Sequence, residues 1–273
     1  MQWSLARPEP LLLATLAFAA PAEATDLRPA TNAAFDKYVQ LTETRMASEI
    51  DGRSPFLWLD RQPEAQRRDL DARLQKGEIV VSRLETRDGG KAVNVPDGLS
   101  HHWIGTVFIP GASVDRVVSL MQDYDRYPAM YKPNVRRARI IAHDGDRLQA
   151  YLQLFMKKVV SVVLNTEFDV RYMRLAPQRM QVHSFTTRIA EVDEPDTPRE
   201  REKPVGRDNG FLWRFNNYWS LEGREGGTFV QCESISLSRA IPTGFGWLVG
   251  PFVKSIPRDS LEFTLGAMRT AAR

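Results

Sequence analysis

Ser113-Val-Asp-Arg-Val-Val-Ser-Leu-Met-Gln-Asp-Tyr-Asp-Arg-Tyr-Pro128 is the first of two amphipathic segments that bracket a long strand-rich stretch. Val114, Val117, Val118, Met121 and Tyr124 fall on one side at helical spacing. Ser113 is the candidate N-cap, Asp115 puts a negative charge at the positive end of the helix dipole, and Pro128 closes the segment. The second segment runs from about 257 to 272 and carries Leu261, Leu265 and Met268 on one stripe. A sheet bracketed in this way buries one face against a helix, because an uncovered apolar sheet face is not viable in water. The expected fold is therefore α+β, a curved antiparallel sheet of about seven strands wrapped around a long C-terminal helix.

The strands between these helices follow from the change of period. Glu78 to Glu85, His102 to Ile109, Arg137 to Ala142, Arg147 to Met156, Val159 to Tyr172 and Arg179 to Val192 alternate or run apolar between turn signals. Asp88-Gly89-Gly90 and Asp144-Gly145 supply turn chemistry, and Phe211–Glu222 and Thr228–Arg239 form a hairpin across Gly226-Gly227. The stretch from Asp193 to Asn209 is dense in proline and charge and reads as a solvent-exposed connection. Upstream, 33–50 and 63–76 read as two helices, each stopped by glycine (Gly52 and Gly77).

The N-terminus reads as an export signal. Arg7 precedes the apolar run Leu11 to Ala20, and Ala22-Glu-Ala24 fits a small-x-small cleavage site. That run is too short to cross a bilayer as a helix, which takes about twenty residues. The expected organisation is a signal peptide at 1–24, a helical extension at 25–76 and one helix-grip domain at 77–273, in the periplasm or otherwise exported. Cys232 is the single cysteine, so stability rests on the core rather than on an internal disulfide.

The 273 residues are 42% hydrophobic and 26% charged, with a formal net charge of +3, the composition of an ordinary globular protein. Its arginines and lysines are dispersed or diluted by acids, so no nucleic-acid footprint is expected, while transient contact with an anionic membrane surface is compatible with the charge. His101 and His102 point to opposite faces of a strand and cannot readily share a metal, and no nucleotide, zinc or nucleophile-elbow motif occurs. Neither a metal nor a cofactor is expected.

Asp123-Tyr-Asp-Arg-Tyr-Pro128, Gly210-Phe-Leu-Trp-Arg-Phe-x-x-Tyr-Trp219, Glu233-Ser-Ile-Ser-Leu-Ser238 and Pro257-Arg-x-Ser-Leu261 together resemble the START-like (SRPBCC, helix-grip) superfamily. Within it they are similar to the coenzyme Q-binding and polyketide cyclase-like branch, in an exported bacterial subgroup. The resemblance covers about residues 77 to 273 and implies a cavity between sheet and closing helix. The fold hosts carriers, sensors, cyclases and hydrolases alike.

Candidate site residues come from the aromatic hairpin and its neighbours. One side of the first hairpin strand carries Trp213, Phe215, Asn217, Trp219 and Leu221; on the partner strand Gln231 and Glu233 are expected to join that side as the polar groups of an apolar pocket. Tyr124, Tyr127 and Tyr131 line the expected mouth, Leu261 and Leu265 the closing helix, and Phe252 a flap formed by 244–254. The competing reading of the aromatics is simple core filling, and that of Glu233 a structural ion pair. The function expected is non-covalent binding, and transport, of a hydrophobic small molecule or lipid in the cell envelope by a monomer without catalytic residues. The alternative is a cyclase- or hydrolase-type enzyme using Glu233 and an arginine, and a third reading makes 26–76 an interaction surface.

Overall fold

The closing helix decides the architecture, and it does so through one glycine. A Cβ placed on Gly105 would stand 2.6 Å from Leu265 Cδ1 and 3.1 Å from Leu261 Cγ, so the helix lies directly on the backbone of the strand that holds Gly105. A computed structural model describes residues 27–157, 161–240 and 246–272; of 246–254 only the backbone is described. The segment 1–24, expected to be a signal peptide, and the side chain of Phe252 lie outside the described residues.

In chain order the elements begin with helices α1 (Pro29–Ile50) and α2 (Glu64–Gln75), followed by strands β1 (Ile79–Arg83), β2 (Arg87–Asp88), β3 (Lys91–Ala92) and β4 (Gly98–Pro110). Helices α3 (Val114–Gln122) and α4 (Tyr127–Met130) come next. Strands β5 (Val135–Asp144), β6 (Arg147–Lys157), β7 (Ser161–Ala176), β8 (Arg179–Asp193), β9 (Arg201–Glu202), β10 (Arg214–Arg224) and β11 (Gly227–Arg239) lead to α5 (Gly246–Ala272). The main sheet runs β1-β4-β11-β10-β8-β7-β6-β5, with β9 added beside β8, and its pairings are antiparallel. Gly89 and Gly90, both at positive φ, turn the small separate hairpin β2–β3 instead of joining β1 to β4 directly. Helix α5 begins at Gly246, ahead of the start expected near Pro257.

Both faces of the sheet are covered. On the inner face, Leu261, Leu265 and Met268 of α5 are buried with Val117, Leu120 and Met121 of α3 against Val107, Ile109, Val230 and Leu221. Full burial of such side chains contributes about 1.5–3 kcal/mol each. On the outer face, Phe35, Tyr38, Val39 and Met46 of α1 pack on Tyr218, Ile235 and Leu237. Phe56, Leu57, Leu59, Leu70 and Leu74, leading into and along α2, cover Val80, Phe108 and Phe229. The upstream helices are thus packing partners of the sheet, so β11 is buried from Thr228 to Ser238 on both sides. No helix among the described residues is long and apolar enough to cross a membrane.

Candidate functional site

The hairpin register assigns each candidate residue to a face. β10 and β11 are joined by a two-residue turn, with Arg224 opposite Gly227, so odd-numbered residues of β10 stand opposite even-numbered residues of β11. Trp219 therefore shares a face with Cys232, and Tyr218 shares one with Glu233. The expectation that Gln231 and Glu233 join Trp219 is corrected on this ground: both lie on the outer face, beneath the N-terminal helices. Trp213 is a second correction. It precedes β10 and packs with the outer cluster around Tyr218 and Ile235, away from Phe215 and Trp219.

The inner face beyond the α5 leucine stripe has aromatic walls and small polar neighbours. Phe215, Asn217 and Trp219 of β10 and Trp103 of β4 are half-buried there. By register, Ser236 stands opposite Phe215, Ser234 opposite Asn217, and Ser184 of β8 flanks Asn217 on the other side. Phe168 meets Phe215 edge-on at 6.2 Å, and His101 Nε2 lies 3.1 Å from Ser238 Oγ. Cys232 is buried beneath this surface, its thiol 3.9 Å from Asn217 Oδ1. Burial pushes that thiol well above its ordinary range, so it stays protonated and is no nucleophile.

Tyr124, Tyr127 and Tyr131 gather behind this region. The rings of Tyr124 and Tyr127 stack at 4.5 Å, and Tyr127 meets Tyr131 edge-on at 5.0 Å. The hydroxyls of Tyr127 and Tyr172 both donate to the Met121 carbonyl, at 2.6 and 3.0 Å, satisfying an orphan acceptor at the end of α3. Burial raises all four phenols, Tyr124 to about 12, so each remains a donor. Tyr124 and Tyr131 are buried in the core, and Tyr127 is packed against it with its hydroxyl already used. Leu261 and Leu265 are buried over Gly105.

On the outer face a polar cluster holds α1 to the sheet. His102 Nε2 is 2.6 Å from Glu233 Oε1, and His102 Nδ1 is 2.8 Å from the Tyr38 hydroxyl. Arg45 donates to Glu233 and to Glu49, and Arg61 donates to Glu49. Burial of Glu233 raises its pKa, but His102 and Arg45 outweigh it and hold the carboxyl below its usual range. Arg61 is lowered to about 10, by burial first and by Arg45 second. Gln231 Oε1 accepts from the Trp58 backbone N–H at 2.6 Å, and Tyr218 donates to Glu43 at 2.8 Å. Glu233 is the structural ion pair that its burial required.

No family profile matches the chain, and no curated protein matches it. Solved structures do. A STAR-related lipid transfer protein from Xanthomonas axonopodis is 16% identical, covers 70% of this chain and 98% of its own, and has a TM-score of 0.43. The Zhui aromatase/cyclase from Streptomyces sp. R1128 is 13% identical over 64% of this chain and 94% of its own, also at 0.43. Human STARD10 is 10% identical over 76% and 80%, again at 0.43. The fold is a helix grip. That statement rests on the sheet order and on α5 lying over Gly105, and likeness at this level assigns no chemistry.

Tyr38, Arg45 and His102 are not among the site residues expected from the sequence, where His102 is weighed only as a metal ligand. One signal was present: Tyr38, Thr42 and Glu49 recur at helical spacing along the buried stripe of α1, with the half-buried Arg45 at its edge. Polar residues on a buried stripe announce polar partners across the interface. Among the described residues no three potential metal ligands lie together, and His101 and His102 take partners on opposite faces of β4.

Proposed function

We propose that the inner face, at the end of α5 away from Met268, binds an apolar small molecule or lipid without covalent chemistry. The observation that carries this reading is the set of half-buried rings Trp103, Phe215 and Trp219 beside the small side chains Ser184, Ser234 and Ser236. Half-buried apolar rings next to small residues form a surface that an apolar ligand covers at lower free energy than water does. Removing apolar ligand surface from water supplies about 25 cal/mol per Å². Asn217 and the serine hydroxyls supply the few polar groups that orient a ligand in such a site. The leader-like N-terminus supports a place in the cell envelope, and carriage of the ligand there belongs to the same proposal. The acid/base apparatus of the enzyme alternative, Glu233 with an arginine, faces α1 and cannot reach a substrate held on the inner face.

The test is native mass spectrometry and organic extraction of the protein from its own membrane fraction, followed by titration of the extracted ligand. Binding should change tryptophan fluorescence, and Trp219→Ala should weaken it by about 1–3 kcal/mol. Stability is measured on the same variant. A Trp219→Ala protein that unfolds more easily yet binds with unchanged affinity would make the tryptophan plain core and refute the proposed site.

A further inference from the structure

β5 is the last strand of the main sheet, so among the described residues one side of its backbone meets no other strand. The opposite edge is blunted, because β1 is only five residues long and packs against α2 and α5. β5 runs for ten residues, and each residue from Arg139 to Asp144 is exposed. Ile140 and Ile141, at its middle, are each 43% exposed. A long edge with an apolar centre is a template for pairing with another strand.

Pairing with β6 assigns the faces of that strand. Leu148 and Ala150 lie in the inner core, so their partners His143 and Ile140 belong to the inner face, as does Ala138 opposite Leu152. Arg137, Arg139, Ala142 and Asp144 stand opposite Gln153, Tyr151, Gln149 and Arg147 and share the outer face. Ile141 is the extra residue of a bulge between Ile140 and Ala142. The order of faces is therefore the same in either direction from the two isoleucines. Arg137, Ala138 and Arg139 run outer, inner, outer on one side, and Ala142, His143 and Asp144 run outer, inner, outer on the other. Charge follows the opposite rule: the side before the bulge is basic, and the side after it ends in an acid.

A strand with symmetric faces and opposite charges at its two ends complements a reversed copy of itself. Laid antiparallel with a twofold axis at the bulge, two β5 strands place Arg137 opposite Asp144, Arg139 opposite Ala142 and Ala138 opposite His143, with the isoleucines together at the centre. Each opposed pair then shares a face, as antiparallel pairing requires. Arg139 lies diagonally from the same aspartate, within reach of a long side chain. Among the described residues Asp144 has no ion-pair partner, Arg139 rests on the Tyr151 ring at 4.8 Å, and Arg137 holds Glu200 at 2.8 Å while still exposed. An anionic lipid surface fits this edge less well, since it would meet Asp144 and Asp146 along with the arginines. We propose that β5 is the interface of a symmetric homodimer in which one antiparallel sheet continues across two copies of the chain. The dimer replaces the monomer expected from the sequence and does not depend on which ligand the inner face takes.

The experiment is light scattering and sedimentation of the full chain from about 1 μM to about 500 μM, the range in which a small interface declares itself. The mass should rise from one copy toward two. Ile140→Lys changes an exposed residue, leaves the fold intact and should weaken the dimer about tenfold, because it sets two ammonium groups near the axis. Exchange of charge is the stricter readout. Arg137→Glu alone opposes two acids in each pair, and Asp144→Lys alone opposes two bases, so each should weaken self-association about tenfold. Mixed in equal amounts, the two variants regain an acid opposite a base in both pairs and should form a heterodimer within about threefold of wild-type affinity. Wild type that remains one copy at about 500 μM overturns the proposal whatever the variants do. So does wild type that sediments with phosphatidylglycerol vesicles without self-associating. It is equally overturned if Ile140→Lys associates as wild type does, or if mixing the two charge variants restores nothing.

Discussion

Glu233→Gln tests the outer cluster most directly. The carboxylate is 2% exposed and accepts from His102 Nε2 and from Arg45. Glutamine keeps the shape, removes the charge, and offers His102 either a weaker acceptor or a clashing donor. Breaking a buried pair by removing one partner costs about 3–5 kcal/mol when the charge left behind stays dry. Arg45 is 36% exposed and bonds Glu49 as well, so part of its solvation returns and the expected loss falls to about 2–3 kcal/mol. For a chain of this size that is roughly 4–12 °C in melting temperature. Urea denaturation of Glu233→Gln, Arg45→Met and the double variant closes a cycle. The double variant should recover part of the single loss, with a coupling of about 1–3 kcal/mol. Binding on the inner face should not change, because the side chain is across the sheet. A Glu233→Gln protein within about 0.5 kcal/mol of wild type, or a coupling near zero, would refute the role of this cluster in holding α1 to the sheet.

Three further outcomes are expected. Gly105→Val should destabilise by about 1–3 kcal/mol through overlap with Leu265 and Leu261, read by thermal denaturation; an unchanged melting temperature would mean α5 does not lie on that strand. Deleting the chain after Arg258 removes Leu261, Leu265 and Met268 and should abolish cooperative folding, whereas a monomeric truncated protein with a sharp transition would contradict the helix grip. Acid should destabilise through two groups of the same sign. Burial, and then Arg171, lower His183 to about 4 from its ordinary 6.5, so the unfolded chain takes the proton first and stability falls as pH drops from about 6.5 to 4. Glu233, held below 4.5, adds a loss at still lower pH, and His183→Phe should flatten only the upper part of the curve in urea titrations at stepped pH.

The sequence by itself determined the elements and the class of fold. Period-two stretches between turn residues marked the eight long strands, and the stripe of Leu261, Leu265 and Met268 named the helix face that is buried. These are local properties, set by backbone geometry and by which side chains repeat at 2 or 3.6 residues. The parity of the hairpin was legible too, since a two-residue turn pairs odd with even positions and separates Trp219 from Glu233. Only the tertiary structure decided which face of β11 looks toward α5. Phe229, Gln231, Glu233, Ile235 and Leu237 look like a core face because they are one; the helices that cover it come from nearly two hundred residues earlier in the chain. Alternation along a strand says that two faces differ and cannot say what packs on each, because burial is a property of the partner as much as of the strand. The short serine side chains on the other face are buried on the inner side beside Trp103 and Phe215.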